Sequence, residues 1–192
     1  MKASSKSFAV KPPIFTTICA FLQKLPIYRT QSLLKGTQPM YRILFVCHGN
    51  ICRSPMAEFI FNDLVKKHGI SGVISESAAT STEEIGNGVH YGTAAILRRL
   101  GIDYSAKRAR QITRADFDKF DLVVGMDTAN IRNLQRISAN RFDDKICRLL
   151  DFTDNPRDIS DPWYTGDFES TYRDVLEGCE ALVERISGFR KS

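Results

Sequence analysis

Residues 42–54 read RILFVCHGNICRS and are followed at 55–69 by PMAEFIFNDLVKKHG. The first stretch opens with an apolar run that is typical of a strand buried on both faces. The second has apolar residues at helical spacing and ends in Gly69, a residue type that commonly terminates helices. We therefore predict a strand and a helix that are joined by a short turn carrying Cys47 and Arg53.

Two residues mark the start of the predicted helix. Ser54 suits the N-cap because its hydroxyl can accept a hydrogen bond from a free backbone N–H, and Pro55 suits the first helical position. We predict that Ser54 caps the helix.

Beyond this unit, strand patterns alternate with helix patterns along the chain. Further strands are predicted at 72–80, 121–126 and 145–150, and further helices at 93–101, 112–120, 127–138 and 168–189. Polar loops are expected at 81–92 and 151–167. This alternation predicts an α/β fold with a four-stranded parallel sheet and helices on both faces. Such sheets bind ligands at the carboxyl ends of their strands, which is where Cys47 lies.

The basic charge of the chain is concentrated at its N-terminus. Residues 1–40 contain six Lys or Arg and no Asp or Glu, whereas the other 152 residues contain 21 basic and 22 acidic side chains. Because the larger part is close to neutral, we predict that the protein does not bind nucleic acid.

Residues 1–40 are predicted to be an N-terminal extension of a domain at 41–192. The longest uncharged apolar stretch of the extension, IFTTICAFL at 14–22, has nine residues, whereas a membrane span needs about 20. We therefore expect no membrane contact from a spanning helix. Three interpretations of the extension remain open: a disordered or start-site extension with Met40 as the working start, an organelle transit peptide, or a secretion signal.

The five cysteines are an odd number at irregular spacing: Cys19, Cys47, Cys52, Cys147 and Cys179. Such a set is a poor disulfide framework and favours a reducing compartment. We predict a cytoplasmic protein, with organelle targeting through residues 1–40 as the alternative. Cys147 and Cys179 are expected in the core. No Cys or His spacing matches a zinc site, so we expect neither a metal nor another cofactor.

The turn that carries Cys47 has the properties of an anion site. Backbone N–H groups of a strand-to-helix turn can point inward, and the following helix adds free N–H groups and the positive end of its dipole. Gly49 and Asn50 tolerate the positive φ angles that such a curl requires. Arg53 can hold two phosphate oxygens in its planar fork, and the same field favours the thiolate of Cys47. Ser54 could donate a hydrogen bond to that thiolate. This combination indicates phosphoryl transfer to sulfur.

Phosphoryl transfer from an ester also needs an acid for the leaving oxygen. The best candidate is Asp161 in SDPWYTGD at 160–167, on a loop at the same sheet edge. Trp163 and Tyr164 beside it offer an aromatic wall for a substrate ring.

These residues resemble the low-molecular-weight protein tyrosine phosphatases. The resemblance is carried by VCHGNICRSPMAE at 46–58 and DPWYTG at 161–166. Further matches occur in the same order at 77–81 (SAATS), 109–113 (ARQIT) and 125–134 (GMDTANIRNL), so the resemblance covers about residues 41–190.

The resemblance implies a phosphatase I-like three-layer sandwich with strand order 2-1-3-4. It implies hydrolysis of phosphotyrosine proteins or small aryl phosphates through a phosphocysteine, without a metal, by a monomer or weak dimer. Cys47 would be the nucleophile, Arg53 the phosphoryl clamp, and Asp161 the acid and then the base. Cys52 would form a reversible disulfide with Cys47 on oxidation.

The remaining implied roles concern substrate binding and support of the turn. Ile51 and Tyr164 would flank the aromatic ring. Asn50, Ser54 and Ser77 would support the turn by hydrogen bonds, and Asp127 would hold Arg53 or the turn. The full set of expected substrate-binding residues is His48, Gly49, Asn50, Ile51, Cys52, Ser54, Trp163 and Tyr164.

Alternative functions on the same scaffold remain open. Arsenate reduction would need further cysteines downstream, and residues 81–101 contain none. Relatives that hydrolyse phosphoarginine carry Thr where this chain has Ile51. A phosphate-binding adaptor without turnover is the non-catalytic alternative. Finally, the basic run at Lys107, Arg108 and Arg110 is predicted to be a solvated surface, as charge runs usually are.

Overall fold

Four strands and six α-helices alternate in residues 40–188, the part of the chain that the computed structural model describes. The strands are β1 (Tyr41–Cys47), β2 (Val73–Ala79), β3 (Leu122–Gly125) and β4 (Ile146–Arg148). The helices are α1 (Arg53–Lys67), α2 (Tyr91–Arg99), α3 (Arg114–Lys119), α4 (Thr128–Ser138), α5 (Pro162–Thr165) and α6 (Phe168–Ser187). The predictions for residues 1–39 and for the C-terminal end after 188 lie outside the described residues.

The strands form one parallel sheet in the order β2-β1-β3-β4. The predicted fold class and strand order are therefore confirmed. Cys47 pairs with Ala79, and Val46 pairs with Gly125, so β1, β2 and β3 end close to one another. This common edge brings the turn after β1 together with the segments that follow β2 and β3.

β1 is apolar throughout because it is buried on both faces. Ile43 and Phe45 belong to the core under α1 and α6, whereas Leu44 and Val46 belong to the core on the other side of the sheet. The second core includes Phe117 of α3 and Leu134 of α4, among others. The molecule therefore has three layers, with the sheet in the middle.

Several predicted boundaries are wrong by a few residues, each for a local reason. Helix α1 begins at Arg53, so Ser54 is inside it and is not its N-cap. Strand β4 ends at Arg148 because a 3₁₀ turn at Leu149–Phe152 follows directly. The backbone N–H of Arg148 donates to Asp151 Oδ2 at 2.9 Å, which stabilises that turn. The loop predicted at 151–167 contains this turn and the short helix α5.

Helix α4 begins as predicted, with Asp127 as its N-cap. The Asp127 carboxylate accepts a hydrogen bond from the backbone N–H of Asn130 at 2.6 Å. None of the helices in residues 40–188 combines the length and the apolar composition that crossing a membrane requires.

Candidate active site

The turn between β1 and α1 is closed around the sulfur of Cys47. Asn50 has a φ of +59°, in the left-handed region that asparagine tolerates better than most residues. Its backbone N–H donates to Cys47 Sγ at 3.3 Å. Its side-chain Nδ2 donates to Ser54 Oγ at 2.9 Å and to Ser77 Oγ at 2.7 Å, and its Oδ1 accepts from the backbone N–H of Arg110 at 3.2 Å. One side chain thus holds three separate segments around the turn.

Gly49 serves this turn through its small size. A positive φ was expected at both Gly49 and Asn50; Asn50 has one and Gly49 does not. A Cβ on Gly49 would lie 3.1 Å from Cγ of Glu84, so the absent side chain allows residues 81–88 to pack against the turn.

The hydroxyl of Ser54 is directed at the nucleophile rather than at the helix terminus. Its Oγ lies 3.1 Å from Cys47 Sγ, and it is fully buried. The predicted N-cap role is wrong because α1 begins two residues earlier than predicted, at Arg53 and not at Pro55, with Cys52 as a cap that makes no side-chain hydrogen bond. A hydroxyl at this distance can donate to a thiolate and stabilise its negative charge.

Arg53 is 2% exposed and is held by three partners from two later segments. Its Nη1 donates to Asp127 Oδ2 at 2.5 Å and to the carbonyl of Ile159 at 3.1 Å, while Nη2 binds the carboxylate of Asp161. Burial alone would lower the pKa of Arg53, but the negative charges of Cys47, Asp161 and Asp127 outweigh burial and raise the pKa above its usual value. The guanidinium is therefore permanently charged and fixed in orientation.

Asp161 reaches the site because its segment is fastened to the end of β3. The backbone N–H of Ile159 donates to the carbonyl of Met126 at 2.9 Å, directly after the strand ends. Asp161 then caps α5, where its Oδ1 accepts from the backbone N–H of Trp163 at 3.2 Å. The carboxylate and Arg53 are thus brought together across 108 residues of sequence.

A cavity of about 100 Å³ opens above the turn, and most of the predicted site residues line it. Trp163 and Tyr164 form one wall with exposed fractions of 57% and 83%. Asn50 and Ser54 are buried and do not line the cavity; their side-chain hydrogen bonds hold the turn together, as the resemblance implies, and their expected contact with substrate stays a prediction. The complete lining is Cys47, His48, Gly49, Ile51, Cys52, Glu83, Glu84, Asp161, Trp163 and Tyr164.

A buried ion pair behind the turn was missed by the sequence analysis. Lys107 Nζ lies 2.6 Å from Glu58 Oε2 and 3.2 Å from the carbonyl of Ser77, and the side chains of Lys107 and Glu58 are only 10% and 13% exposed. Ser77 Oγ donates to the same carboxylate oxygen at 2.5 Å while accepting from Asn50. The predicted solvated run is therefore wrong for Lys107, although Arg108 is exposed. The available signal was Glu58 itself, four residues after Ser54 on the same side of α1.

Cys52 differs from Cys47 in its surroundings although both are buried and free. Burial, followed by the negative charges of Cys47 and Asp161, raises the pKa of Cys52 to about 12. Cys52 is therefore a thiol at neutral pH, and its proposed redox partnership with Cys47 stays a prediction.

An aromatic contact links the cavity wall to the turn and to α6. The ring of His90 stacks on Phe168 with centroids 5.0 Å apart and meets Trp163 edge-on at 5.6 Å. The backbone N–H of His90 donates to the carbonyl of Ile51 at 2.9 Å. A Cβ at position 92 would lie 2.6 Å from Phe168, so this packing requires Gly92.

A family model described as "Low molecular weight phosphotyrosine protein phosphatase" matches residues 42–191. The chain belongs to this family. Low molecular weight phosphatases are enzymes, and the match includes the whole of the site described above. Within residues 40–188, no group of three or more His, Cys, Asp or Glu side chains is arranged to hold a metal ion.

Relatives of this phosphatase family are found in bacteria and animals. The chain is 45% identical over 150 residues to the low molecular weight protein-tyrosine-phosphatase YfkJ of Bacillus subtilis, which covers 77% of this chain and 96% of the relative. The crystal structure of YfkJ matches with a TM-score of 0.77, covering 81% of this chain and 100% of that one. A phosphatase of the family from Pongo abelii is 43% identical over 152 residues, covering 74% and 94%.

A solved structure named for a different activity is also similar. The crystal structure of a drosophila arginine phosphatase matches with a TM-score of 0.68 and 30% identity, covering 75% of this chain and 95% of that one.

Proposed function

We propose that the protein hydrolyses phosphotyrosine and aryl phosphates through a phosphocysteine intermediate. The observation that carries the proposal is that Cys47 and Asp161 line one cavity. The buried Arg53, which lies outside the lining, binds the carboxylate of Asp161.

In the first half-reaction, the thiolate of Cys47 attacks phosphorus and the bond between phosphorus and the ester oxygen breaks. The electron pair of that bond leaves with the oxygen, which takes a proton from Asp161. Arg53 and the N–H groups at the start of α1 stabilise the charge on the phosphoryl oxygens. The product alcohol departs and the phosphoryl group stays on sulfur.

In the second half-reaction, the carboxylate of Asp161 takes a proton from a water molecule as the water oxygen attacks phosphorus. The bond between sulfur and phosphorus breaks, the thiolate of Cys47 is restored, and inorganic phosphate leaves. Ser54 Oγ, 3.1 Å from the sulfur, stabilises the departing thiolate.

The hydrogen-bonding state of Arg53 supports a phosphoryl ligand. Both Nη atoms have protein partners, but Nε is buried and donates to no described protein atom. A buried unsatisfied donor costs about 1–3 kcal/mol. A phosphoryl oxygen would accept that hydrogen bond and recover this free energy.

The proposal is tested first at the nucleophile. Cys47→Ser should abolish hydrolysis of p-nitrophenyl phosphate, because a serine hydroxyl is not ionised at neutral pH, while phosphate binding measured by calorimetry is retained. Cys147→Ala, which removes a cysteine from the core far from the cavity, is the matched control. Turnover by the Cys47→Ser variant would refute the proposal.

The acid is tested with leaving groups of different basicity. Asp161→Asn should lower kcat by about 10²-fold for phenyl phosphate and less for p-nitrophenyl phosphate, whose leaving group needs no proton. An equal loss for both esters would mean that Asp161 only positions Arg53.

Two alternative reactions on this scaffold are open to the same kind of test. The apolar Ile51 in the cavity lining favours the flat aromatic ring of phosphotyrosine over phosphoarginine. Comparing the hydrolysis rates of the two substrates tests this preference. For arsenate reduction, burial raises the pKa of Cys147 and of Cys179 above the usual range, so neither supplies a second thiolate; arsenate-dependent consumption of thioredoxin would contradict this argument. Cys19 lies outside the described residues.

We also propose a cytoplasmic location, with organelle targeting through residues 1–40 as the alternative, and a monomer or weak dimer. Imaging of C-terminally tagged protein with and without residues 1–39 tests the first, and analytical ultracentrifugation tests the second.

A further inference from the structure

The mouth of the cavity is acidic. The lining residues include the carboxylates of Glu83, Glu84 and Asp161 and no Lys or Arg. Asp161 is bound to Arg53, but Glu83 and Glu84 belong to the loop after β2 and extend toward the opening. The guanidinium of Arg53, which would bind the phosphoryl group, is buried and lies outside this lining, so the carboxylates are the charged groups nearest to solvent at the rim of the cavity.

The charge of Glu84 reaches the groups around the turn. Its Cγ would be the first atom met by a side chain at Gly49, and its charge acts to raise the pKa of both Cys52 and His90. Its hydrogen-bond partner is the uncharged amide of Asn87, at 2.6 Å, so its negative charge is not neutralised by that contact. Glu83 lies 2.9 Å from Nε2 of His48.

Two other residues of the lining are aromatic and exposed. Trp163 and Tyr164 present their rings to solvent next to Asp161. Exposed aromatic faces bind apolar stems and cationic groups, the latter through cation–π attraction. A Lys or Arg side chain at the cavity would therefore find both carboxylates and aromatic rings to contact.

We propose that Glu83 and Glu84 are specificity-determining residues that select phosphotyrosine flanked by Lys or Arg over phosphotyrosine flanked by Asp or Glu. The inference rests on the proposed phosphatase function and extends it to the substrate class. The phosphoryl group is bound at the floor in either case, so the difference arises where the flanking side chains pass the rim.

Each exposed charge pair contributes little free energy to binding. Replacing Lys by Glu on both flanks of the peptide changes attraction to repulsion at two positions, so several such contributions add up. We expect kcat/KM to differ by about tenfold between the two kinds of peptide at low ionic strength. The difference should fall to within about twofold in high salt, because salt screens exposed charges.

The experiment compares three phosphotyrosine peptides that differ only in their flanks, which are Lys, Ala or Glu on both sides. The order of kcat/KM should be Lys, then Ala, then Glu. In the Glu83→Gln/Glu84→Gln variant, which keeps hydrogen-bond acceptors but removes both charges, the ratio between the Lys and Glu peptides should fall to about threefold or less.

A charge-matched control distinguishes an effect of the charges of Glu83 and Glu84 from an effect of the net charge of the protein. Asp118 and Asp144 are exposed and precede β3 and β4, at the end of the sheet opposite the cavity. The Asp118→Asn/Asp144→Asn variant should therefore keep the wild-type ratio. An unchanged ratio in the Glu83→Gln/Glu84→Gln variant, or equal turnover of all peptides by the wild type, would overturn the inference.

A failure of the proposed phosphatase function can be distinguished from a failure of the proposed substrate preference. The unflanked ester p-nitrophenyl phosphate reports the chemistry without the flanks, so its turnover together with equal peptide rates rejects only the substrate preference. If the ester is not hydrolysed, the affinities of the three peptides for the full-length protein, measured by fluorescence anisotropy, still decide whether the rim discriminates.

Discussion

The floor and the mouth of the cavity are built in opposite ways. At the floor, Asn50, Arg53 and Ser54 are buried and bonded to one another or to later segments. At the mouth, the side chains of Glu83, on the loop after β2, and of Tyr164, in the short helix α5, are exposed. Groups at the floor are fixed before substrate arrives, whereas groups at the mouth can change without disturbing the fold. We therefore expect catalysis to depend on buried hydrogen bonds and ion pairs, and substrate preference to depend on exposed side chains.

The largest effect should come from a conservative change at the floor. Arg53→Lys keeps a positive charge but loses the fork that binds Asp127 and Asp161 simultaneously. We expect kcat for p-nitrophenyl phosphate to fall by about 10³-fold, as for loss of donors to a developing charge.

The matched control is Arg157→Lys. Arg157 pairs with Asp174 and Glu177 on the surface, where ion pairs contribute little. We expect kcat to stay within about twofold. Comparable losses in the two variants would erase the distinction between buried and exposed groups.

An intermediate effect is expected from the ion pair behind the floor. Lys107→Met leaves the Glu58 carboxylate buried without its cation. The free energy of unfolding should fall by about 3 kcal/mol, measured by urea denaturation.

Two further variants test this interpretation. In the double variant Glu58→Gln/Lys107→Met, part of the stability should return, because no buried charge is left unpaired. Lys119→Met removes a more exposed pair with Glu76 and should lower the free energy of unfolding by at most about 1 kcal/mol. If the two single lysine variants lose equal stability, burial is not what makes the Lys107 pair important.

The smallest effect should be a pH dependence of stability due to His90, which packs against the cavity-wall residue Trp163. Burial lowers the pKa of His90 below 6.5, although the charge of Glu84 partly opposes this shift. The unfolded chain therefore binds a proton at a higher pH than the folded protein does. The contribution of His90 to stability is present above about pH 6.5 and is lost as the pH falls through its folded pKa.

The measurement is the free energy of unfolding of wild type and His90→Gln between pH 7.5 and 5. The wild type should lose about half a kcal/mol more than the variant on acidification, since the site is partly exposed. The corresponding His68→Gln variant, changed at the end of α1, controls for the loss of any histidine. A steeper loss in His90→Gln than in the wild type would reverse the assigned sign.

The sequence was sufficient to predict those features whose position depends on a local pattern or on the common edge of the sheet. The apolar run of β1 and the spacing within CHGNICRS were enough to predict the sheet and to bring Cys47, Arg53 and Asp161 to one edge. Parallel strands end at a common edge, so their following residues converge whatever the intervening loops do.

The sequence was insufficient where side chains meet across distant segments. The contact between Lys107 and Glu58 joins residues 49 apart, and neither flank of Lys107 distinguishes it from a solvated lysine. The start of α1, two residues before the predicted one, likewise removed Ser54 from the cap position, although its predicted contact with the sulfur of Cys47 is present. Helix boundaries of that precision depend on the geometry of the preceding turn.

The reactive sulfur belongs to the last residue of the central strand, and that strand is packed from both sides. Cys47 is therefore part of the sheet and of its core, with no loop between them. Loss of activity should therefore coincide with loss of tertiary structure. On heating, activity should disappear together with the near-ultraviolet circular dichroism of the core, without an inactive folded state in between.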